Sequence, residues 1–318
     1  MSASILAAAI TGSPRLLQLV LTVYAVIAVF SVLSFVHPRL RRPEGRAVRH
    51  AINSWWPPAL IGGAAVLLGP AVAVLIFLAV STWALAEYLR FLPATDRTPE
   101  VVALALLLGP LHFAALAAGQ VALAEGGVLL FGGFVVLPLL RALRHGPAGL
   151  VAGAARVGLG VVLTVFSLGH VARLWLLPAG VGPAGGAGLA ALLLICVMAS
   201  DAAQYVAGKL AGRHALAPVL SPRKTWEGLA GGVLVAAVVG ALAASLATSL
   251  SRPIGAAVGV ALALVGLLGD LLVSAIKRDV GVKDSGAVLP GQGGVLDRCD
   301  SLILAAPLYY HAVQAWLL

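Results

Sequence analysis

Apolar runs separated by proline, glycine or clustered charge make up most of this chain, and they leave it few ways to fold. Several extend for roughly 20 residues, the length a helix needs to cross a ~30 Å hydrocarbon core. Of the 318 residues, 61% are hydrophobic and only 10% charged, where a soluble domain carries about 25% charge. So little polar surface excludes a soluble enzyme, a nucleic-acid reader and a disordered chain. The reading is an all-α polytopic integral membrane protein with about ten transmembrane helices, one of them a candidate re-entrant segment.

The expected helices are Leu16–Val36, Ala59–Leu68, Ala71–Leu89, Val101–Ala118, Gly127–Leu140, Val157–Leu176, Gly188–Val206, Leu229–Leu246, Ile254–Ile276 and Ser301–Leu318. Gly69-Pro70 divides the second from the third, against the competing reading of one proline-kinked helix. Charge placement arbitrates. Arg39, Arg41, Arg42, Arg46 and Arg49 fill one loop, and Arg141 and Arg144 a second. Lys209, Arg213, Arg223 and Lys224 fill a third, and Lys277, Arg278 and Lys283 a fourth. Basic loops stay cytoplasmic, so an even number of spans must separate each pair. Two helices across Ala59–Leu89 meet that condition and one does not. Both termini then lie outside, with Arg15, Arg173 and Arg252. The net charge of +9 is this topological bias, with phosphate gathering as a compatible second use. Cys196 and Cys299 read as two reduced thiols. Met1 to Pro14 lacks the basic start of a cleaved signal peptide, and Pro178 to Gly188 reads as an uncharged external loop. His112, His170 and His311 read as helix-packing or interfacial residues.

After Met198 most of the charge falls in three short blocks. An ionisable group at membrane depth costs about 2.5–3.5 kcal/mol on insertion scales and is a functional candidate by default. In the first block Asp201 and Tyr205 are spaced i, i+4 and share a helix face. The block runs on to Ser221-Pro222-Arg223-Lys224-Thr225-Trp226-Glu227-Gly228. There Ser-Pro suggests a turn, Thr225 a helix cap, and Arg223 and Lys224 phosphate donors. A plain basic loop before a helix is the competing reading. In the second block Asp270, Ser274 and Lys277 follow i, i+4, i+7, so one stripe carries a carboxylate, a hydroxyl and an ammonium; a simple helix-end salt bridge is the alternative. The third block is Lys283-Asp284 and then Pro290-Gly291-Gln292-Gly293-Gly294-Val295-Leu296-Asp297-Arg298-Cys299-Asp300-Ser301. A Gly-rich loop opening a helix offers free N–H groups to an anion. Asp297 and Asp300 add two carboxylates on one face. Oxygen ligands beside a phosphate cradle suit Mg²⁺, with a second cation such as K⁺ as an option. With Asp270 they form a three-carboxylate metal set that repels itself unless cations bind.

These blocks resemble the phosphatidate cytidylyltransferase (CDP-diacylglycerol synthase) family. The resemblance rests on Ser274-Ala275-Ile276-Lys277-Arg278, on Lys283-Asp284 and on the run from Pro290 to Asp300. Asp201, Tyr205, Gly208-Lys209, Gly212 and the run from Ser221 to Gly228 look like further family elements, and Glu87-Tyr88 like a weaker one. Clear similarity covers about the last 120 residues. On that basis residues 1–186 are an N-terminal set of membrane helices and 187–318 the catalytic half. In one place the chain departs from the pattern: the family loop usually reads Gly-His-Gly-Gly, and here Gln292 replaces the histidine. Glutamine can hydrogen-bond a phosphate or ribose but exchanges no proton near neutral pH.

The resemblance implies CTP and phosphatidate, or a related lipid phosphate, as substrates, and CDP-diacylglycerol and pyrophosphate as products. A lipid phosphate is already an anion, so the chemistry needs charge neutralisation and in-line geometry more than a strong base. The resemblance and the residue chemistry together assign Asp270, Asp297 and Asp300 to metal, and Ser274 to an extra ligand or phosphate donor. Lys277, Arg278, Lys283, Arg223, Lys224 and Arg298 would hold phosphates, with Asp284, Gln292, Gly293 and Gly294 lining the same loop. Asp201 and Tyr205 would shape the nucleotide site. The expected location is the cell membrane, with the site facing the cytoplasm, among membrane lipids, with no nucleic-acid partner and with a homodimer left open. A CTP-dependent polyprenol or phytol kinase, leaving CDP and a phospholipid, is the nearest rival. A transporter is disfavoured because its path should carry polar groups through the bilayer, and here the charges crowd one end. The topology is testable: cysteines placed beside Arg46, Arg223 or Lys283 should escape a membrane-impermeant thiol reagent applied to intact cells, and strong labelling at any one overturns the layout.

Overall fold

A computed structural model describes residues 14–36, 49, 52–177, 183–286 and 293–317. The N-terminal segment before Pro14, the basic residues Arg39 to Arg46 and part of the loop after Leu177 lie outside those residues, as does Gln292. The chain is almost wholly helical. In order the helices are α1 (Pro14–Val36), α2 (Trp56–Leu67), α3 (Pro70–Phe91), α4 (Pro99–Ala117), α5 (Leu123–His145), α6 (Leu150–Trp175) and α7 (Gly185–Ala211). A two-stranded antiparallel hairpin, β1 (Ala215–Ala217) and β2 (Ser221–Thr225), precedes α8 (Trp226–Ala247), α9 (Arg252–Asp279) and α10 (Leu296–Leu317).

Among the described residues eight of these helices, α1 and α3 to α9, are long and apolar enough to cross a membrane. The protein is a multi-pass membrane protein. Each expected apolar run is a helix, and the break between α2 and α3 is real: Gly69 takes φ 88°, and Pro70 opens the next helix. At about 1.5 Å per residue, the 12 residues of α2 span about 18 Å, short of a full hydrocarbon core. Two spans are wound differently from the ordinary α-helix expected. Leu123–Val136 is π-helical before α5 reverts to α geometry, and Val162–Phe166 is a π turn inside α6. Helix α6 also starts a full two turns before the expected Val157. That places Arg156 inside it, where it pairs at 2.6 Å with buried Asp96, which Arg141 also contacts at 3.5 Å. Paired in this way, the charges are tolerated inside the bundle.

Leu21, Val29, Phe30, Leu75, Leu130, Phe131 and Leu234 are exposed, an apolar belt that would aggregate in water and suits lipid. Inside, α7 packs on α8, α8 on α9 and α9 on α10. Small residues allow these crossings. A Cβ on Gly259 would collide with the Ala236 backbone, and one on Gly255 with Gly240 and Ala244. Without a hydrophobic drive between helices, backbone approach of this kind supplies the packing energy. Cys196 and Cys299 are free and buried. His112 and His170 are also buried. The His112 ring meets the Ala124 carbonyl at 3.1 Å and the His170 ring the Phe166 carbonyl at 2.8 Å. Exposed His311 meets His170 with the two rings tilted, and Arg173 lies over Tyr310 while pairing with Glu125.

Gly259→Leu should therefore force α8 and α9 apart, at an overpacking cost of about 1–3 kcal/mol or more. Gly126→Ala, where an added Cβ meets nothing within 4 Å, should be neutral. Thermal unfolding in detergent compares them, and equal melting for the two variants would refute the packing argument.

Candidate functional site

The site is built where the last turns of α7 and α9 meet the first turn of α10 under the hairpin. Its spacing is set by glycine at the α9–α10 crossing. A Cβ on Gly269 would lie 2.5 Å from the Asp300 carbonyl oxygen. Asp270 is the next residue on α9, so the two carboxylates are carried into one space. Asp270 acts electrostatically on both Asp201 and Asp300, and Asp201 on Asp300. These three acids come from three helices. The expected stripe on α9 holds: Ser274 Oγ donates to Asp270 Oδ1 at 3.2 Å, and Lys277 reaches across to α10.

The hairpin supplies the principal counter-charge. Ser221–Thr225 is a strand, paired through Ala215 with Thr225 and Ala217 with Ser221, where a turn was expected from the Ser-Pro pair. Strand pairing satisfies backbone groups that a turn would leave to water. At its end Thr225 caps α8 as expected, accepting the Gly228 N–H at 3.1 Å. Glu227 accepts the Arg213 and His214 N–H groups and contacts the His214 ring at 2.6 Å, fixing the hairpin base. Lys224, one residue before the cap, forms an ion pair with Asp270 Oδ2. Its charge also acts on Asp201 and Asp300, with Arg298 acting on Asp201 and Lys277 on Asp300.

Asp297 is drawn elsewhere. Its Oδ1 accepts Lys277 at 2.6 Å; its Oδ2 accepts the Ser285 N–H at 2.7 Å, the Ser285 hydroxyl at 2.8 Å and the Gly294 N–H at 2.9 Å. One ammonium, two amides and a hydroxyl engage this carboxylate, which anchors the loop. Gly293 takes φ 82° to bring the loop back over Asp297. Tyr205 is exposed on α7, and Arg223, Arg278, Lys283, Asp284 and Arg298 are exposed around the site. Arg278 Nε donates to the Leu220 carbonyl at 3.4 Å, tying α9 to the hairpin. Gln292 lies outside the described residues.

Glu87, noted in the sequence but given no role there, is central. It is 1% exposed on α3, and its Oε2 accepts the Leu296 N–H at 2.9 Å and the Ser285 hydroxyl at 3.1 Å. An anionic acceptor at the first N–H of α10 stabilises that terminus. Its position inside an apolar span was the available signal; nothing in the sequence pointed to Ser285.

Among the described residues no three Asp, Glu, His or Cys side chains are grouped tightly enough to cage a metal ion. The donor chemistry still suits Mg²⁺, which takes one or two carboxylates and completes its shell with water and substrate phosphate. Asp270 and Asp300 fit that description. Glu87→Ala should leave the Leu296 amide without its acceptor, while the Ser285 hydroxyl keeps Asp297, costing about 1–3 kcal/mol of stability. Glu87→Gln, which keeps an acceptor oxygen, should lose less. Thermal unfolding of the two variants checks this, and equal stability to the wild type would remove Glu87 from the support of the loop.

Comparison with known proteins places the chain in a family. The profile described as "Cytidylyltransferase family" matches residues 49–316. The protein YnbB of Escherichia coli K12, described as uncharacterized, is 35% identical over 298 residues, covering 92% of this chain and 96% of its own. A phosphatidate cytidylyltransferase of Mycobacterium leprae is 41% identical over 134 residues, 42% of this chain and 41% of its own. One from Staphylococcus epidermidis is 44% identical over 115 residues, 36% and 44% of the two chains. The chain therefore spans less than half the length of these two enzymes, and nearly all of YnbB.

Proposed function

This chain belongs to the cytidylyltransferase family, and we propose that it transfers the cytidylyl group of CTP to phosphatidate, giving CDP-diacylglycerol and pyrophosphate. The observation that carries this reading is the meeting of Asp201, Asp270 and Asp300 beside Lys224, Lys277 and Arg298 at the ends of membrane helices. That arrangement suits two polyanions, one soluble and one anchored in lipid. The basic loops favour a site facing the cytoplasm of the cell membrane, where CTP is available.

The lipid phosphate attacks the α-phosphorus of CTP, a P–O bond forms to it, and the bond to the β-phosphate breaks to release pyrophosphate. A phosphate monoester has a second pKa near 6, so near neutral pH it attacks without surrendering a proton to the enzyme. Gln292 in the place of the usual histidine is compatible with that chemistry, as a hydrogen-bond donor. When bound by Asp270 and Asp300, Mg²⁺ would neutralise phosphate charge and polarise the reacting phosphorus. Lys224 and Arg298, with Arg223, Arg278 and Lys283 around them, hold phosphates. Asp201 and Tyr205 shape the nucleotide side. Asp297 acts at one remove: it holds Lys277 and the loop in register.

Purified protein with labelled CTP, Mg²⁺ and a panel of lipid phosphates should yield a CDP-lipid and pyrophosphate, with phosphatidate the best acceptor. Chelation should abolish the reaction, and Asp300→Asn should lower its rate by roughly 100-fold or more. CDP and a phosphorylated alcohol as products would identify a kinase and overturn the reading, as would an enzyme indifferent to chelation.

A further inference from the structure

Asp270 is doubly engaged. Ser274 holds Oδ1 at 3.2 Å, and Lys224 is ion-paired with Oδ2. A cation that reaches Oδ2 must displace that ammonium. Of the cationic groups acting on the three carboxylates, Lys277 is already committed to Asp297 at 2.6 Å. Lys224 is thus the ammonium paired to the cluster itself, and its charge is felt by all three acids. We propose that Lys224 is a built-in counter-ion, which holds Asp270 in the free enzyme and is exchanged for a divalent cation on binding, when its ammonium turns to the substrate phosphates. The proposal rests on the nucleotidyl-transfer reading and deepens it, since it gives one side chain opposite effects on cation binding and on turnover.

Charge and construction both favour the exchange. A divalent cation neutralises two of three crowded acids where Lys224 neutralises one, so its arrival removes the Coulombic hold on the ammonium. Two incoming polyphosphate and phosphate groups then offer a stronger anionic field. A lysine suits the transfer, with a compact charge and three donors on a flexible stem. The hairpin is firm at its base through Glu227. Its far side is joined to α9 by a 3.4 Å hydrogen bond from Arg278 Nε to the Leu220 carbonyl, long for such a bond. Lys224 and Asp270 each keep partial exposure, 19% and 27%, so the pair is reachable from solvent.

The test is Mn²⁺ binding to the purified full-length protein without nucleotide, read by the electron paramagnetic resonance signal of free Mn²⁺ at about pH 8, where protons compete least for carboxylates. Lys224→Met should bind Mn²⁺ about two- to fivefold more tightly than wild type, the scale of one lost ion pair, while forming CDP-lipid more slowly. Lys224→Arg, which keeps the charge, should bind Mn²⁺ as wild type does and reports that the fold tolerates change at this position. Asp270→Asn should weaken binding. Unchanged or weaker Mn²⁺ binding by Lys224→Met, beside a normal Lys224→Arg, would overturn the exchange and leave Lys224 a phosphate contact only. Asp270→Asn binding Mn²⁺ like wild type would overturn it too. A wild type that makes no CDP-lipid while Lys224→Met still binds Mn²⁺ more tightly would refute the proposed activity and leave the exchange standing.

Discussion

A methyl group added to Gly269 would lie 2.5 Å from the carbonyl oxygen of Asp300, and the remainder of the site depends on that contact. It brings α9 against α10 closely enough for Asp270 and Asp300 to share one space. The same approach recurs between α8 and α9 at Gly240, Gly255 and Gly259, and between α7 and α8 at Gly228, Gly231 and Gly232. In lipid, helices gain nothing by hiding apolar surface from one another, so van der Waals contact between small residues must hold them. A bundle held in this way fixes its helix ends tightly, and here those ends carry the charge.

Bringing three carboxylates together costs energy that cations must offset. The structure spreads this task. Lys277 and Asp297 satisfy each other across α9 and α10 and order the loop with Ser285 and Gly294. Lys224 answers Asp270 from the hairpin. The resulting site sets three acids beside Lys224, Lys277 and Arg298, a mixture of charge that suits a metal–nucleotide and a lipid phosphate together.

The first half of the chain contributes more than a membrane anchor. Glu87, on α3, caps α10 and meets Ser285, 198 positions away in sequence. A division at residue 186 separates the motifs from the plain spans, yet the loop that carries Ser285 and the start of α10 are held from the other side of that line. Toward the far end of α10, Tyr310 stacks under Arg173 and its Glu125 partner, so α10 is gripped by the first half at two levels.

Hydropathy was enough to determine the membrane class and the approximate place of each helix, because the bilayer demands long apolar runs and tolerates few other shapes. The break at Gly69 needed the placement of charge as well, and the early start of α6 at Leu150 was missed. Helical spacing was enough for the stripe of Asp270, Ser274 and Lys277, and capping chemistry for Thr225. The partners of the charges were not legible. Asp297 and Asp300 are three residues apart on one helix, but the returning loop takes the first, and Asp201 from α7 joins the second. Lys224 reads as one more basic residue until strand pairing in the hairpin directs it to Asp270. Glu87 stands alone in the sequence and gains its role from residues nearly two hundred positions away. Local periodicity sets which face a side chain occupies; only the packing of distant helices decides which charge it meets, because Coulombic and hydrogen-bond partners depend on separation in space, not along the chain.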